Sequence, residues 1–277
     1  MIEYLVLAAA LAFALFLVPG PHRRFAGCAG WVGMVLVLVA LLPEFAAENN
    51  FVYPALTVAA LPFLWITVRR LLARDATVES LTRGAAIAFV LYAPFAFIEP
   101  LGNWLIGVVV GQLAWLLAAI GFPFGMWAWN ILIHNGFRVE IILACTGIQS
   151  IAIMLGVALA VPATLRERAL AFLAVAPVIY ALNLVRNVFV VIAYTDQWFP
   201  FLPAIAGNGE LGYESFFWAH NVLAELGALV VLILIAWGLF RLIPALGDLA
   251  ADLVEVYRGD LMQAVGRGRE PALRPRD

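Results

Sequence analysis

The chain has 277 residues, of which 65% are hydrophobic and only 12% charged, against roughly a quarter charged in soluble domains. That balance excludes an ordinary water-soluble protein, and a net charge of -2 without a basic stripe excludes a nucleic-acid partner. The two cysteines, Cys28 and Cys145, provide neither a disulfide framework nor a thiolate metal cluster.

The first apolar run begins at Tyr4 behind Glu3 rather than behind a basic start, and no small-residue cleavage site precedes a soluble domain, so it reads as a membrane helix and not as a leader. Apolar runs follow at about 28–43, 51–68, 85–98, 101–120, 141–161, 169–194 and 216–243. A backbone in hydrocarbon must satisfy its own hydrogen bonds, so these runs are helices. The fold predicted is all-α: a polytopic transmembrane bundle of about eight membrane helices over residues 1–243. The 85–98 run is short and is expected to begin earlier. A weaker aromatic segment, Phe122 to Ile133, is either a short crossing or one arm of a re-entrant hairpin. Gly27 with Gly30 permits a close helix contact. Residues 244–277 read as a cytoplasmic interfacial helix, marked by Asp252, Glu255 and Arg258, followed by a loose basic tail.

The linkers sort by charge. Arg23 and Arg24, then Arg69, Arg70, Arg74 and Arg83, then Arg166 and Arg168, and finally Arg258, Arg267, Arg269, Arg274 and Arg276 form basic patches, which face the cytoplasm under the positive-inside rule. Glu44, Glu48, Glu99, Asp196, Glu210 and Glu214 fall in the alternate linkers. The N-terminus is therefore expected outside and the C-terminus in the cytoplasm.

Three polar positions interrupt the apolar runs at one depth. Cys145 opens the 141–161 run and is followed by Thr146, Gln149 and Ser150, with 145 and 149 sharing a face if the helix is continuous. A thiolate is a strong nucleophile, and helix N-termini and nearby cations favour it. Arg186 lies inside the 169–194 run, eight residues before Tyr194, or roughly 12 Å of helix. An intramembrane arginine must face a partner or a polar cavity. It either pairs structurally, with Glu225 as the available acid, or stabilises a developing oxyanion. Asn183 and Asn187 share a face beside it. His220, with Asn221, begins the final membrane helix behind Phe216, Phe217 and Trp218, and a histidine there can serve as general base and then general acid. Asn130 and His134 share a face of the weak segment, if it is helical, and would line a substrate entrance. Cys28 sits at the opposite end of the bundle and reads as packing. No GxGxxG, Walker or HExxH pattern occurs, and three scattered histidines make no zinc site, so no cofactor and no metal are expected.

The blocks LACTGIQS at 143–150, LNLVRNVFVVIAY at 182–194 and WAHNVLAE at 218–225, in this order within a polytopic frame, resemble the exosortase/archaeosortase family, and its archaeosortase branch most nearly. The resemblance implies a membrane cysteine transpeptidase or protease with Cys145 as nucleophile and Arg186 essential. It offers a histidine or an arginine as the third member. Arg241 lies at the far end of its helix, so His220 is preferred. The resemblance also implies the substrates: exported surface proteins, S-layer proteins among them, bearing a C-terminal Pro-Gly-Phe-type motif, a transmembrane helix and a basic tail. It implies a multi-pass protein of an archaeal cell membrane, with membrane lipid as the acceptor of the new C-terminus. Neither the residues nor the resemblance specify an oligomeric state. The rival reading is a membrane transporter whose intramembrane arginine binds an anionic substrate.

Overall fold

The computed structural model describes residues 2–43 and 52–267. Glu44 and Glu48 of the expected outer linkers, and Arg269, Arg274 and Arg276 of the basic tail, lie outside the described residues. The frame is the expected polytopic helical one. Among the described residues, six helices are long and apolar enough to cross a membrane, and Ile2–Leu17 and Ile148–Ala158 are shorter apolar helices. In chain order the elements are α1 (Ile2–Leu17), α2 (Arg23–Ala40), α3 (Val52–Leu72), α4 (Ala76–Phe97) and α5 (Glu99–Ala119). There follow strands β1 (Gly125–Ala128), β2 (Ile131–His134) and β3 (Phe137–Glu140), a 3-10 turn at Leu143–Thr146, α6 (Ile148–Ala158) and α7 (Leu165–Thr195). The chain ends in α8 (Pro203–Ala206), α9 (Tyr213–Phe216), a π-helix at Phe217–Ala224, α10 (Glu225–Leu242) and α11 (Ala245–Arg267). The short 85–98 run does begin earlier, at Ala76.

Two expectations change. Residues 122–133 are neither a short crossing nor a helical hairpin: they contribute to a three-stranded antiparallel sheet in the order β1-β2-β3. The β2–β3 connection is the two-residue turn Asn135-Gly136, joining the paired residues His134 and Phe137. Both turn residues have positive φ, 50° and 83°, the geometry an Asn-Gly hairpin turn adopts. The run 141–161 is also not one helix. Gly147, at φ 77° and ψ 0°, breaks it behind the 3-10 turn, and α6 has only 11 residues, about 16 Å of rise against a hydrocarbon core of about 30 Å.

The chain divides into two compact units. The first holds Met1–Val90, Gly156–Pro162 and Ile243–Asp277, and its core gathers Phe13, Phe16, Trp31, Leu71, Val78 and Ala86. Gly27 and Gly30 admit the rings of Phe16 and Phe13, since an added Cβ would lie 2.8 Å and 2.7 Å from them. That small-residue pair thus serves packing within the chain. The indole of Trp31 donates to Thr82 Oγ1 at 3.0 Å. Helix α11 docks on α3 in this unit. Tyr257 stacks on Phe63 with ring centroids 5.1 Å apart, and the fully buried carboxylate of Asp260 accepts from Arg69 at 2.9 Å and from Arg70 at 2.7 Å.

The second unit holds Leu91–Leu155 and Ala163–Leu242. Its core joins Ile106, Val109, Val110, Leu113 and Leu117 of α5 to Leu132 and Val139 of the sheet, to Ile141, and to Val191 of α7. The 31-residue α7 starts at a capping box in which Thr164 and Glu167 satisfy each other's backbone amides. At its other end it carries the sheet: His134 Nε2 lies 3.1 Å from Asp196 Oδ1, and Asn135 donates to Thr195 O at 3.3 Å.

Candidate active site

The break at Gly147 is what presents Cys145. A residue with a side chain rarely adopts this φ, and a Cβ on Gly147 would lie 3.2 Å from Asn183 Cγ, so both the backbone conformation and the close approach of α7 favour glycine here. The 3-10 turn is tied locally: Cys145 N donates to Ile142 O at 2.9 Å, and Thr146 Oγ1 donates to Leu143 O at 2.7 Å. Thr146, fully buried, also accepts from Ile148 N at 3.4 Å and so joins the turn to α6. Cys145 is a half-buried free thiol at the margin of the second unit's core. Because the helix is interrupted, Cys145 and Gln149 are not on one continuous face. Gln149 instead donates to the Tyr92 hydroxyl at 3.1 Å.

Helix α7 clamps this turn from the side. Asn183 Nδ2 and Asn187 Nδ2 both donate to the carbonyl of Cys145, at 2.6 Å and 2.8 Å, filling both lone pairs of one oxygen. The two asparagines are four residues apart and therefore share a face, with Arg186 beside them. Asn187 is buried, as a strong positioning group would be. The clamp lies eight to twelve residues, or roughly 12–18 Å, before the sheet-bearing end of α7.

Arg186 reaches to the third element. Its Nη2 donates to Glu225 Oε1 at 2.8 Å and lies 3.4 Å from His220 Nε2. Its side chain is 16% exposed, and its Nε is buried with no hydrogen-bond partner. The expected acidic partner of Arg186 is therefore present. Residues five apart on a regular α-helix point about 140° away from each other, which would keep Glu225 and His220 off a common face. The π-helix at Phe217–Ala224, with its i→i+5 hydrogen bonds, removes that separation and lets one guanidinium touch both. The imidazole is fixed on its other sides: Nδ1 lies 2.7 Å from Asn221 Oδ1, and Phe216 stacks on the ring at 4.8 Å. An amide oxygen only accepts, so Nδ1 carries the proton and Nε2 keeps its lone pair toward Arg186.

Asn130 and His134 are placed elsewhere. Asn130 is buried and donates to Glu140 Oε1 at 3.2 Å and to Ile141 O at 3.1 Å, closing the sheet's turn. His134 packs its ring on Phe122 at 4.7 Å and contacts Asp196. Among the described residues no three His, Cys, Asp or Glu side chains group as a metal site requires. The contributions of Gly147, Phe216 and the π-helix were not anticipated from the sequence. Only Gly147, a glycine directly before a helical run, carried a local signal.

The family described as Transmembrane exosortase (Exosortase_EpsH) matches residues 2–208, a span that includes Cys145 and Arg186 and stops short of His220. Archaeosortase A of Natronomonas pharaonis is 31% identical over 258 residues, covering 86% of this chain and 82% of that protein. Archaeosortase A of Haloferax volcanii is 28% identical over 261 residues, covering 84% of each. No solved structure matches the chain.

Proposed function

The chain belongs to the transmembrane exosortase family, and from that premise we propose that it is a membrane-embedded cysteine transpeptidase that removes the C-terminal sorting signal of exported surface proteins. Cys145 is the nucleophile, Arg186 the oxyanion partner and His220 the proton carrier. His220 Nε2 takes the thiol proton, and the thiolate attacks the scissile carbonyl. Arg186 stabilises the tetrahedral oxygen, its uncommitted Nε being the kind of pre-placed donor such an oxygen requires. The protonated imidazole then gives its proton to the departing amine as the C–N bond breaks, leaving a thioester. Water, or a hydroxyl or amine of a membrane lipid, attacks the thioester, and Cys145 recovers its proton through His220.

The observation that carries this reading is the double clamp on the Cys145 carbonyl by Asn183 and Asn187, the two residues that bracket the arginine touching His220. Thr146, Gln149 and Asn221 serve as supports. The clients carry a Pro-Gly-Phe-type motif, a transmembrane helix and a basic tail, and the site faces the outside of an archaeal cell membrane, consistent with the charge of the flanking linkers. Residues 1–243 are the membrane part of the chain and residues 244–277 its cytoplasmic part. A transporter would need a positive charge left free for an anionic solute, whereas Arg186 is ion-paired with Glu225.

The test is to express wild type and Cys145→Ala beside a tail-anchored client and measure the client's C-terminal mass. Wild type removes the tail and the variant accumulates the intact client in the same membrane. Tail loss unchanged in Cys145→Ala would end the cysteine mechanism.

A further inference from the structure

His220 is held by more than its polar contacts. Its Nδ1 lies 2.7 Å from Asn221 Oδ1 and its Nε2 lies 3.4 Å from Arg186 Nη2. Contacts at two ring atoms define a line, and a flat ring can rock about that line while keeping both. A contact on the face of the ring removes this freedom, and Phe216 supplies one, with centroids 4.8 Å apart and planes 12° from parallel. Among the described residues the other two histidines are not stacked in this way: Phe25 meets His22 at 38° and Phe122 meets His134 at 64°.

One ring can fix another only if it is fixed itself. Phe216 meets the ring of Tyr194 at 5.3 Å and 72°, an edge-to-face geometry in which aromatic pairs attract. Tyr194 in turn packs on Phe137 of β3 at 5.3 Å. The short α9 that carries Phe216 is pinned to the end of α7 by the fully buried Ser215, whose Oγ donates to Ala193 O at 2.9 Å and accepts from Phe199 N at 3.2 Å. Gln197 Nε2 closes the same joint, donating to Tyr194 O at 2.7 Å and to Gly212 O at 3.2 Å. Gly212, which leads into α9 at φ 75°, lies so close to Gln197 that a Cβ there would collide with its side chain.

We propose that Phe216 is a positioning residue for His220, seated through Tyr194 on Phe137. Phe137 lies on the strand that leads, eight residues on, to Cys145, so one strand runs into the thiol-bearing turn and also, through three rings, sets the tilt of the imidazole. The effect on turnover rests on the transpeptidase reading, in which Nε2 takes the thiol proton and later gives it to the departing amine. Both transfers run along the in-plane direction of Nε2, and hydrogen bonds weaken steeply off line. A rocking ring is aligned for only part of the time, so its cost falls on the rate of the bound complex and not on client binding.

Phe216→Leu removes the flat face and Phe216→Tyr keeps it. Each full-length variant is reconstituted in vesicles with a fusion protein ending in a Pro-Gly-Phe-type motif, a transmembrane helix and a basic tail. Initial rates of tail loss are measured by mass over a range of client densities, with thermal unfolding in parallel. Phe216→Leu is expected to lower kcat about tenfold, part of what a general acid-base group contributes, with KM and unfolding little changed. Phe216→Tyr should restore kcat to within about twofold of wild type, and Tyr194→Leu, one ring further out, should cost about threefold where Tyr194→Phe costs nothing. Without client, alkylation of Cys145 by iodoacetamide is followed on its own peptide, with Cys28 as internal reference. It should slow about fivefold in Phe216→Leu and in His220→Ala, as thiolate becomes scarcer, and recover in Phe216→Tyr. An unchanged kcat in Phe216→Leu, an effect confined to KM, or a loss that Phe216→Tyr fails to restore overturns the proposal. If Phe216→Leu does not fold, Tyr194→Leu against Tyr194→Phe decides in the same terms. Tail loss and alkylation that are slow in His220→Ala but normal in Phe216→Leu remove the positioning role and leave the transpeptidase reading standing. Tail loss and alkylation unchanged in His220→Ala itself defeat that reading of the imidazole, and the proposal with it.

Discussion

The clamp on Cys145 makes a quantitative prediction, because one carbonyl oxygen accepts two donors and the two can be removed separately. In Asn183→Ala the oxygen keeps the 2.8 Å bond from Asn187, and in Asn187→Ala it keeps the 2.6 Å bond from Asn183. Each single change removes one hydrogen bond with a net contribution of about 1 kcal/mol, about a fivefold loss of turnover if that energy serves to place the thiol. If independent, two such losses would multiply to about 25-fold. The double variant, however, leaves a partly buried carbonyl without a partner, which adds roughly 1 kcal/mol of desolvation that neither single variant incurs. The expected loss is therefore about 3 kcal/mol, or a hundredfold in turnover, with a coupling of about 1 kcal/mol in the double-mutant cycle. Rates of client tail loss would be measured by mass at matched protein amounts, with thermal unfolding of each variant measured in parallel. A double variant that melts normally and loses only the product of the single effects, or loses nothing, would refute the idea that the clamp positions the nucleophile.

Two other predictions separate positioning from stability. Glu225 is 59% exposed, so its ion pair with Arg186 contributes little to folding. Glu225→Gln should leave unfolding within about 0.5 kcal/mol of wild type yet slow tail loss about threefold to tenfold by freeing the guanidinium. A large drop in thermal stability with unchanged turnover would identify the pair as structural instead. Asp260 anchors α11, and its carboxyl is held below the ordinary carboxylate range first by the hydrogen bond from Arg70 and also by the charges of Arg70 and Arg69, against the opposing effect of burial. A depressed folded-state value means that its stabilisation is complete above the unfolded value of about 3.9 and is lost as pH falls through the lower folded value. Protease cleavage within Ala245–Arg267 should therefore stay slow at pH 5 and rise only below about pH 4. Asp260→Asn should speed cleavage at neutral pH, with a loss of about 2 kcal/mol, less than for a fully buried pair because Arg69 is 45% exposed. Equal cleavage of variant and wild type would show that α11 is held by Tyr257 and its apolar contacts alone.

Which parts of this molecule were legible in its sequence follows from what the bilayer dictates. Hydrocarbon leaves the backbone only its own hydrogen bonds, so runs such as 101–120 and 169–194 had to be helices, and a charge within one, Arg186, had to mark either a partner or a site. The structure supplies the partner, Glu225, and keeps the histidine against the same guanidinium. The segment at 122–140 is less legible, because its apolar content alone resembles that of a short membrane run. Read for turn chemistry, Asn135-Gly136 between alternating apolar and polar residues is a hairpin signal, and the sheet it forms sits on the end of α7 through His134 and Asn135.

The site itself is built where the helices stop being regular. Gly147 breaks one apolar run so that a cysteine sits on a short turn with its carbonyl available to α7; a continuous α-helix would have committed that carbonyl to the amide four residues on. The π-helix at Phe217–Ala224 does the complementary thing on the last membrane segment, spacing its backbone bonds at i→i+5 so that His220 and Glu225 meet one guanidinium. Hydropathy registers neither irregularity, since a single glycine and a mixed aromatic and aliphatic stretch such as FWAHNVLA vanish into a window average. Both carry a cost in hydrogen-bond regularity that an isolated apolar helix has no reason to accept. Their placement on the two elements that flank α7 ties that cost to one arrangement, a cysteine carbonyl clamped by two asparagines and a guanidinium shared by an imidazole and a carboxylate. If so, restoring regular helix at either place should damage turnover more than it damages the fold.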